Sequence, residues 1–116
     1  MPEVALTYDP KSIGWDDTRK IQKELPAIVA RFLGCDDKGG GLTPGDVEVH
    51  LKEANQYSTL NGYGLMIHID ASEFPSRKKN LKGRNNLIAR AIRPLKPKGV
   101  KAYVFTMLHR AAFNEF

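Results

Sequence analysis

A chain of 116 residues, 41% of them hydrophobic, has material for one packed domain spanning residues 1–116. No apolar run approaches the roughly 20 residues of a membrane helix. Neither terminus carries a targeting pattern, and a lone Cys35 cannot close an internal disulfide, so a protein of the reducing cytoplasm is expected. The net charge of +5 is divided unevenly: residues 1–58 hold seven Lys/Arg and ten Asp/Glu, net −3, and residues 59–116 hold eleven and three, net +8. A basic half of this kind attracts nucleic acid, a small anion or the acidic face of another subunit.

The chain opens with Met1-Pro2-Glu3 and passes at once into Val4 to Tyr8, an apolar, β-branched and aromatic strand stopped by Asp9-Pro10. If Met1 is removed, Pro2 is a secondary amine fixed to the start of a strand. An α-amine titrates near about 8, close to the value at which a base is most effective in the cell. Pro2 is therefore the first catalytic candidate, a proton shuttle made from the end of the chain.

After a loop over residues 11–15, Asp16 or Asp17 is placed to cap a helix whose buried stripe is Ile21, Leu25, Ile28, Val29, Phe32 and Leu33. Pro26 predicts a kink or a start nearby, and Gly34 a stop. Cys35 reads as packing or a free thiol. Residues 36–46, with three consecutive glycines and Pro44, predict a mobile surface loop. Val47, Val49 and Leu51 alternate with Glu48, His50 and Lys52, a half-buried strand, and Leu65, Ile67 and Ile69 alternate with Met66, His68 and Asp70 in the next. Pro75-Ser76 opens a second helix, with Leu81, Leu87, Ile88, Ala91, Ile92 and Leu95 on its core side and Pro94 and Pro97 at its end. Val100 to Leu108 is the last strand, followed by a short aromatic tail.

The order is β-α-β twice. Helices covering one face of a sheet make a two-layer α+β domain, a mixed sheet with two helices on one face. Strands joined across a helix within each half are expected to be parallel.

Several constellations bear on function. His50 and His68 lie on the outward faces of two strands with Glu48 and Asp70 beside them; a polar sheet face explains them better than a metal, and no metal or other cofactor enters the reading. Arg77, Lys78, Lys79, Lys82, Arg84, Arg90 and Arg93 crowd the second helix, with no Phe, Tyr or Trp between Arg77 and Lys98 to stack on bases. They read as solvated cations, not a nucleic-acid surface. Gly39-Gly40-Gly41 lacks the Lys-Ser/Thr of a phosphate-binding loop. On the last strand Lys101, Tyr103, Phe105 and Met107 point away from the core, more apolar surface than a free sheet face tolerates, so a second subunit is expected to cover it. Lys101 and Tyr103 are candidates for holding a small carboxylate at that interface.

Met1-Pro2 heading the first strand, two β-α-β units and the ending from Val100 to Phe113 (Val-Lys-Ala-Tyr-Val-Phe-Thr-Met-Leu-His-Arg-Ala-Ala-Phe) resemble the tautomerase superfamily, whose members include macrophage migration inhibitory factor-like proteins. The ending is similar to an uncharacterised branch with the pattern V-F-x-x-L-x-R-x-A-aromatic, and Gln56-Tyr57 before a glycine turn is similar to the same branch. The resemblance implies a homotrimer with sites between subunits, an amino-terminal proline as base, and small keto or enol acids held by cationic side chains. Pro2 carries over directly as catalytic, and Arg110 is the cation that the tail pattern matches. The expected function is keto–enol proton transfer on a small carboxylate, by Pro2 with Lys101, Tyr103 and Arg110 as anchors. Two alternatives stand beside it: the same fold as a non-catalytic binding or assembly module, and an RNA-binding βαββαβ module, to which Gly62-Tyr63-Gly64-Leu65-Met66 is a partial match.

Overall fold

Residues 2–55 and 60–110 are described by the structure, a computed structural model. Strand β1 (Glu3–Tyr8) leads into helix α1 (Trp15–Leu33), a 3-10 turn (Pro44–Asp46) and β2 (Glu48–Glu53). Strand β3 (Leu65–Ser72) leads into α2 (Pro75–Lys79), α3 (Leu81–Ile92), a second 3-10 turn (Arg93–Leu95) and β4 (Ala102–His109). Gln56-Tyr57 and the tail beyond Arg110 lie outside the described residues.

The four strands form one sheet in the order β2-β1-β3-β4. β1 and β2 are parallel, β3 and β4 are parallel, and the two halves meet antiparallel through β1 and β3. Each β-α-β unit thus keeps its strands adjacent. The RNA-binding alternative needs the split arrangement, in which another strand separates the two strands of each unit. The observed order removes that reading.

The alternation along each strand decides the faces. Val4, Leu6, Tyr8, Leu65, Ile67 and Ile69 are buried under the helices, with Ile21, Leu25, Val29 and Leu33 of α1 and Ile88 and Ile92 of α3 packed on them. α1 lies beside α3, α1 toward β2 and α3 toward β4. Among the described residues, no helix packs on the opposite face of the sheet. Gly64 sits where three segments meet: its carbonyl accepts the Asp9 N–H at 2.9 Å and its N–H reaches Lys101 O at 2.8 Å. A Cβ there would lie 2.8 Å from Ser12 Cβ, so only glycine allows the loops to close.

Five local expectations are corrected. The first helix starts at Trp15 with Gly14 at its N-cap; Asp16 and Asp17 fall in the first turn, and no side chain caps the end. No start falls near Pro26: the helix continues through it from Trp15 to Leu33, with Leu25 and Val29 in the core on either side. The second helix is broken at Asn80 (φ −133°, ψ 35°) into α2 and α3. Leu87 is exposed, since Ile88 and Ile92 take the core side of the shortened α3.

The fifth correction concerns the triple-glycine loop and the basic cluster together. Gly40 is buried, not part of a free surface loop; its carbonyl accepts from Cys35 N–H at 3.0 Å and from the Arg77 guanidinium at 3.1 Å. The half-buried Cys35 thiol points to the same carbonyl at 3.7 Å. Arg77 is 2% exposed, not solvated. Burial pulls its pKa down from the usual guanidinium value. Its fork also donates to Leu33 O at 2.7 Å and Ser72 O at 3.0 Å, and the group lies 4.8 Å from the Phe74 ring centroid. Arg84 donates to Phe32 O at 2.9 Å and Gly34 O at 3.0 Å. Two arginines therefore satisfy the carbonyls that α1 leaves open at its C-terminus, where the helix dipole favours a cation.

Candidate active site

The uncovered sheet face carries the polar and aromatic chemistry of the protein. The pairing register aligns it in rows across the strands. One row reads Glu48, Glu3, Asp70, Met107; the next reads His50, Ala5, His68, Phe105; the third reads Lys52, Thr7, Met66, Tyr103. Phe105 and Met107 are 51% and 53% exposed, as the outward alternation of β4 predicts.

At the third row an aromatic cluster forms. Tyr103 Oη and His68 Nε2 share a hydrogen bond of 2.6 Å. Tyr63 meets Tyr103 edge-on with ring centroids 4.8 Å apart, and Lys101 Nζ lies 4.4 Å over the Tyr63 ring. Phe105 closes against His68 at 5.8 Å between centroids. The Lys101 ammonium over an aromatic face gains a cation–π contact. Lys101 and Tyr103 are thus brought together, joined by Tyr63 and His68, whose contribution depends on a register that no single strand reveals.

Tyr8 and Trp15 lie at this same end of β1, 5.9 Å apart between centroids. Burial, then the carboxylate of Glu53, raises the pKa of the Tyr8 phenol. Tyr8 itself faces the helix-side core, on the other side of the sheet from the cluster.

Pro2 stands at the opposite end. It is buried, on the helix-facing side of β1, and its carbonyl accepts the Glu48 N–H at 3.1 Å. Arg110 follows β4 at this same end, where His109 O accepts the Glu73 N–H at 2.8 Å. Five residues of strand separate Pro2 from the Tyr103 row, about 16 Å at about 3.3 Å per residue. Within one protomer the four candidate residues therefore fall into two pairs, Pro2 with Arg110 and Lys101 with Tyr103.

Two further clusters lie near the Pro2 end. Glu3, Glu48 and His50 offer ligand atoms within 4.8 Å of one another and could hold a cation, but all three are exposed and no buried partner fixes them. His109 Nδ1 lies 3.4 Å from Asp70 Oδ1. His50 and His68 share a row with Ala5 of β1 between them, two strand spacings or about 10 Å apart, and His68 Nε2 is taken up by Tyr103 Oη.

No protein-family model matches the chain, and no curated protein matches it significantly. Solved structures do. A 5-carboxymethyl-2-hydroxymuconate delta-isomerase superposes with a TM-score of 0.63 at 15% identity, over 100% of this chain and 86% of the isomerase. Fused 4-OT, a wild-type symmetric trimer, gives 0.61 at 13% identity, over 93% of this chain and 85% of its own. A macrophage migration inhibitory factor-like protein from Entamoeba histolytica gives 0.60 at 12% identity, over 94% and 89%. With two adjacent parallel β-α-β units joined into one mixed sheet and both main helices on one face, the chain has the tautomerase, macrophage migration inhibitory factor-like fold.

Proposed function

We propose that this protein is a tautomerase acting on a small keto or enol acid across the subunit boundaries of a homotrimer. Once Met1 is removed, the Pro2 nitrogen takes a proton from carbon and returns it to oxygen, or the reverse. Burial favours the neutral form of an amine, the form that can accept the proton. Lys101, Tyr103 and Arg110 hold the carboxylate and steady the charge that develops on the enolate oxygen.

The observation that carries this reading is the split of the candidate set. Pro2 and Arg110 lie at one end of the sheet and Lys101 and Tyr103 at the other, so a complete site needs the Tyr103 end of one protomer beside the Pro2 end of the next. The exposed Phe105 and Met107 between them supply apolar surface for that contact. The symmetric trimer of fused 4-OT and the isomerase with the same fold support it.

The test has two linked parts. Light scattering is expected to give about three times 13.0 kDa, and intact mass of native protein is expected to lack Met1. Pro2→Ala then loses enol–keto turnover against a panel of small keto acids, by about a hundredfold or more for a general base. Turnover equal in wild type and variant, or a native mass that retains Met1, refutes the catalytic role and leaves the fold untouched.

A further inference from the structure

Between α3 and the outer edge of β4 lies a cavity of about 200 Å³. Its inner wall is Ile67, Ile92 and Val104, and Ala89 of α3 stands beside it. Ile67 and Ile92 are buried, so the cavity reaches the core of the domain. Its charged lining among the described residues is Arg93 and Lys96, with no Asp or Glu. Neither cation makes an ion pair among the described residues. Arg93 opens the 3-10 turn at the end of α3, and Lys96 follows that turn in extended backbone.

Three physical facts then meet in one place. The space holds about seven waters at about 30 Å³ each, and its apolar walls offer them few hydrogen bonds. An apolar body that displaces such water is favoured. The two cations line the same cavity and have no ion-pair partner among the described residues, so the occupant that fits is an anion at one end and hydrocarbon at the other.

We propose that this cavity binds a small monocarboxylate with a short apolar body, its carboxylate between Arg93 and Lys96 and its hydrocarbon against Ile67, Ile92 and Val104. The guanidinium of Arg93 gives the planar two-point contact that suits a carboxylate. The site lies on the helix side of the sheet at its β4 edge. It shares only Tyr103 with the residues proposed for turnover, and it does not use the Pro2 nitrogen. It therefore holds or fails independently of the tautomerase reading.

The experiment uses the full chain carrying Pro2→Ala, so that no proline amine contributes. Backbone amide shifts are followed by NMR during titration with sodium hexanoate, sodium acetate and inorganic phosphate. Hexanoate is expected to give saturable shifts centred on Ala89, Ile92, Ala102 and Val104, with a dissociation constant around 1 mM. Acetate, which has the charge without the hydrocarbon, and phosphate are expected to bind about tenfold more weakly or less. Arg93→Ala with Lys96→Ala weakens hexanoate about tenfold. Ala89→Phe fills the space from an exposed helix position, keeps both cations and abolishes the shifts. The proposal is overturned by acetate or phosphate binding as well as hexanoate, by hexanoate binding unchanged in Ala89→Phe, or by no saturable shift in the folded protein. The last is also the outcome expected if a second copy of the chain seats a side chain there.

Discussion

Residues 77–84 and residues 93–96 carry the same kinds of cation, and the fold uses them in opposite ways. Arg77 and Arg84 turn inward and close on Leu33 O, Phe32 O and Gly34 O at the end of α1. Arg93 and Lys96 line a cavity with no acid beside them among the described residues. The first pair is structural: its charge is matched by carbonyl dipoles and by Asp37, whose carboxylate lies near both arginines. The second pair is uncommitted. A count of basic residues along the sequence gives both regions the same appearance, so net charge alone does not identify a binding surface.

The largest effect that separates the two regions is expected at Arg77. A buried guanidinium carries a heavy desolvation cost, which its three carbonyls and the Phe74 ring offset. Arg77→Met removes the charge but takes the guanidinium donor from Leu33 O and Ser72 O and leaves Gly40 O with the Cys35 N–H alone. Urea denaturation is expected to show a loss of about 3 kcal/mol or more. Arg77→Lys should recover only part of it, because one ammonium cannot reach three carbonyls in a fork. A loss under about 1 kcal/mol for Arg77→Met would show that the loop over residues 36–41 does not depend on it.

A smaller effect separates the regions through pH. The Asp37 carboxylate accepts from Ser76 Oγ at 2.7 Å and from Ser76 N–H at 3.1 Å, at the start of α2. These bonds hold its pKa below the ordinary value, hydroxyl first and backbone N–H second; burial opposes them, and Arg77 and Arg84 add to the lowering. Asp46 is lowered in the same direction by the Thr43 N–H and then its hydroxyl. A carboxylate with a depressed folded pKa stabilises the fold above its unfolded value, near about 3.9, and that stability is lost as pH falls through the lower folded value. Melting temperature should therefore drop steeply below about pH 4, and the drop should be shallower in Asp37→Asn. Parallel pH profiles for the two proteins would remove Asp37 from this account.

Much of the fold was legible because strand alternation and crossover connections are local rules. Val47, Val49 and Leu51 turn toward the helices, half-buried or better, as their period predicts, and the outward set on β4 is Tyr103, Phe105 and Met107 as expected. What was not legible depended on contacts between distant segments. Nothing in Lys79-Asn80-Leu81 announces a break, but the break lets Arg77 turn under the loop over residues 36–41 while Ile88 and Ile92 still face the core. The candidate site had the same difficulty. Lys101 and Tyr103 could be picked out by residue type and face, Pro2 by its place ahead of the first strand and Arg110 through the resemblance of the tail, yet their division between two ends of the sheet follows from strand order. His68 could be placed on the outward face, but its bond to Tyr103 required the β3–β4 register.

The smallest expected effect is the sharpest test of the comparison. If Arg93 and Lys96 are uncommitted, replacing them changes nothing that folding relies on. Arg93→Ala and Lys96→Ala should each alter unfolding free energy by no more than about 0.5 kcal/mol, the range of surface substitutions away from special features. The double variant should behave as the sum of the two, or become slightly more stable, because two like charges lining one cavity repel each other. That repulsion is screened by salt, so any gain should shrink between low and physiological ionic strength. Arg84→Ala provides the contrast within the same basic segment: it strips donors from Phe32 O and Gly34 O, with an expected cost of about 1–2 kcal/mol. Parallel urea titrations of the three single variants decide the matter. A loss at Arg93 or Lys96 as large as that at Arg84 would mean that the β4 edge also depends on its cations for stability, and the division of the basic segment into a structural half and a free half would fail.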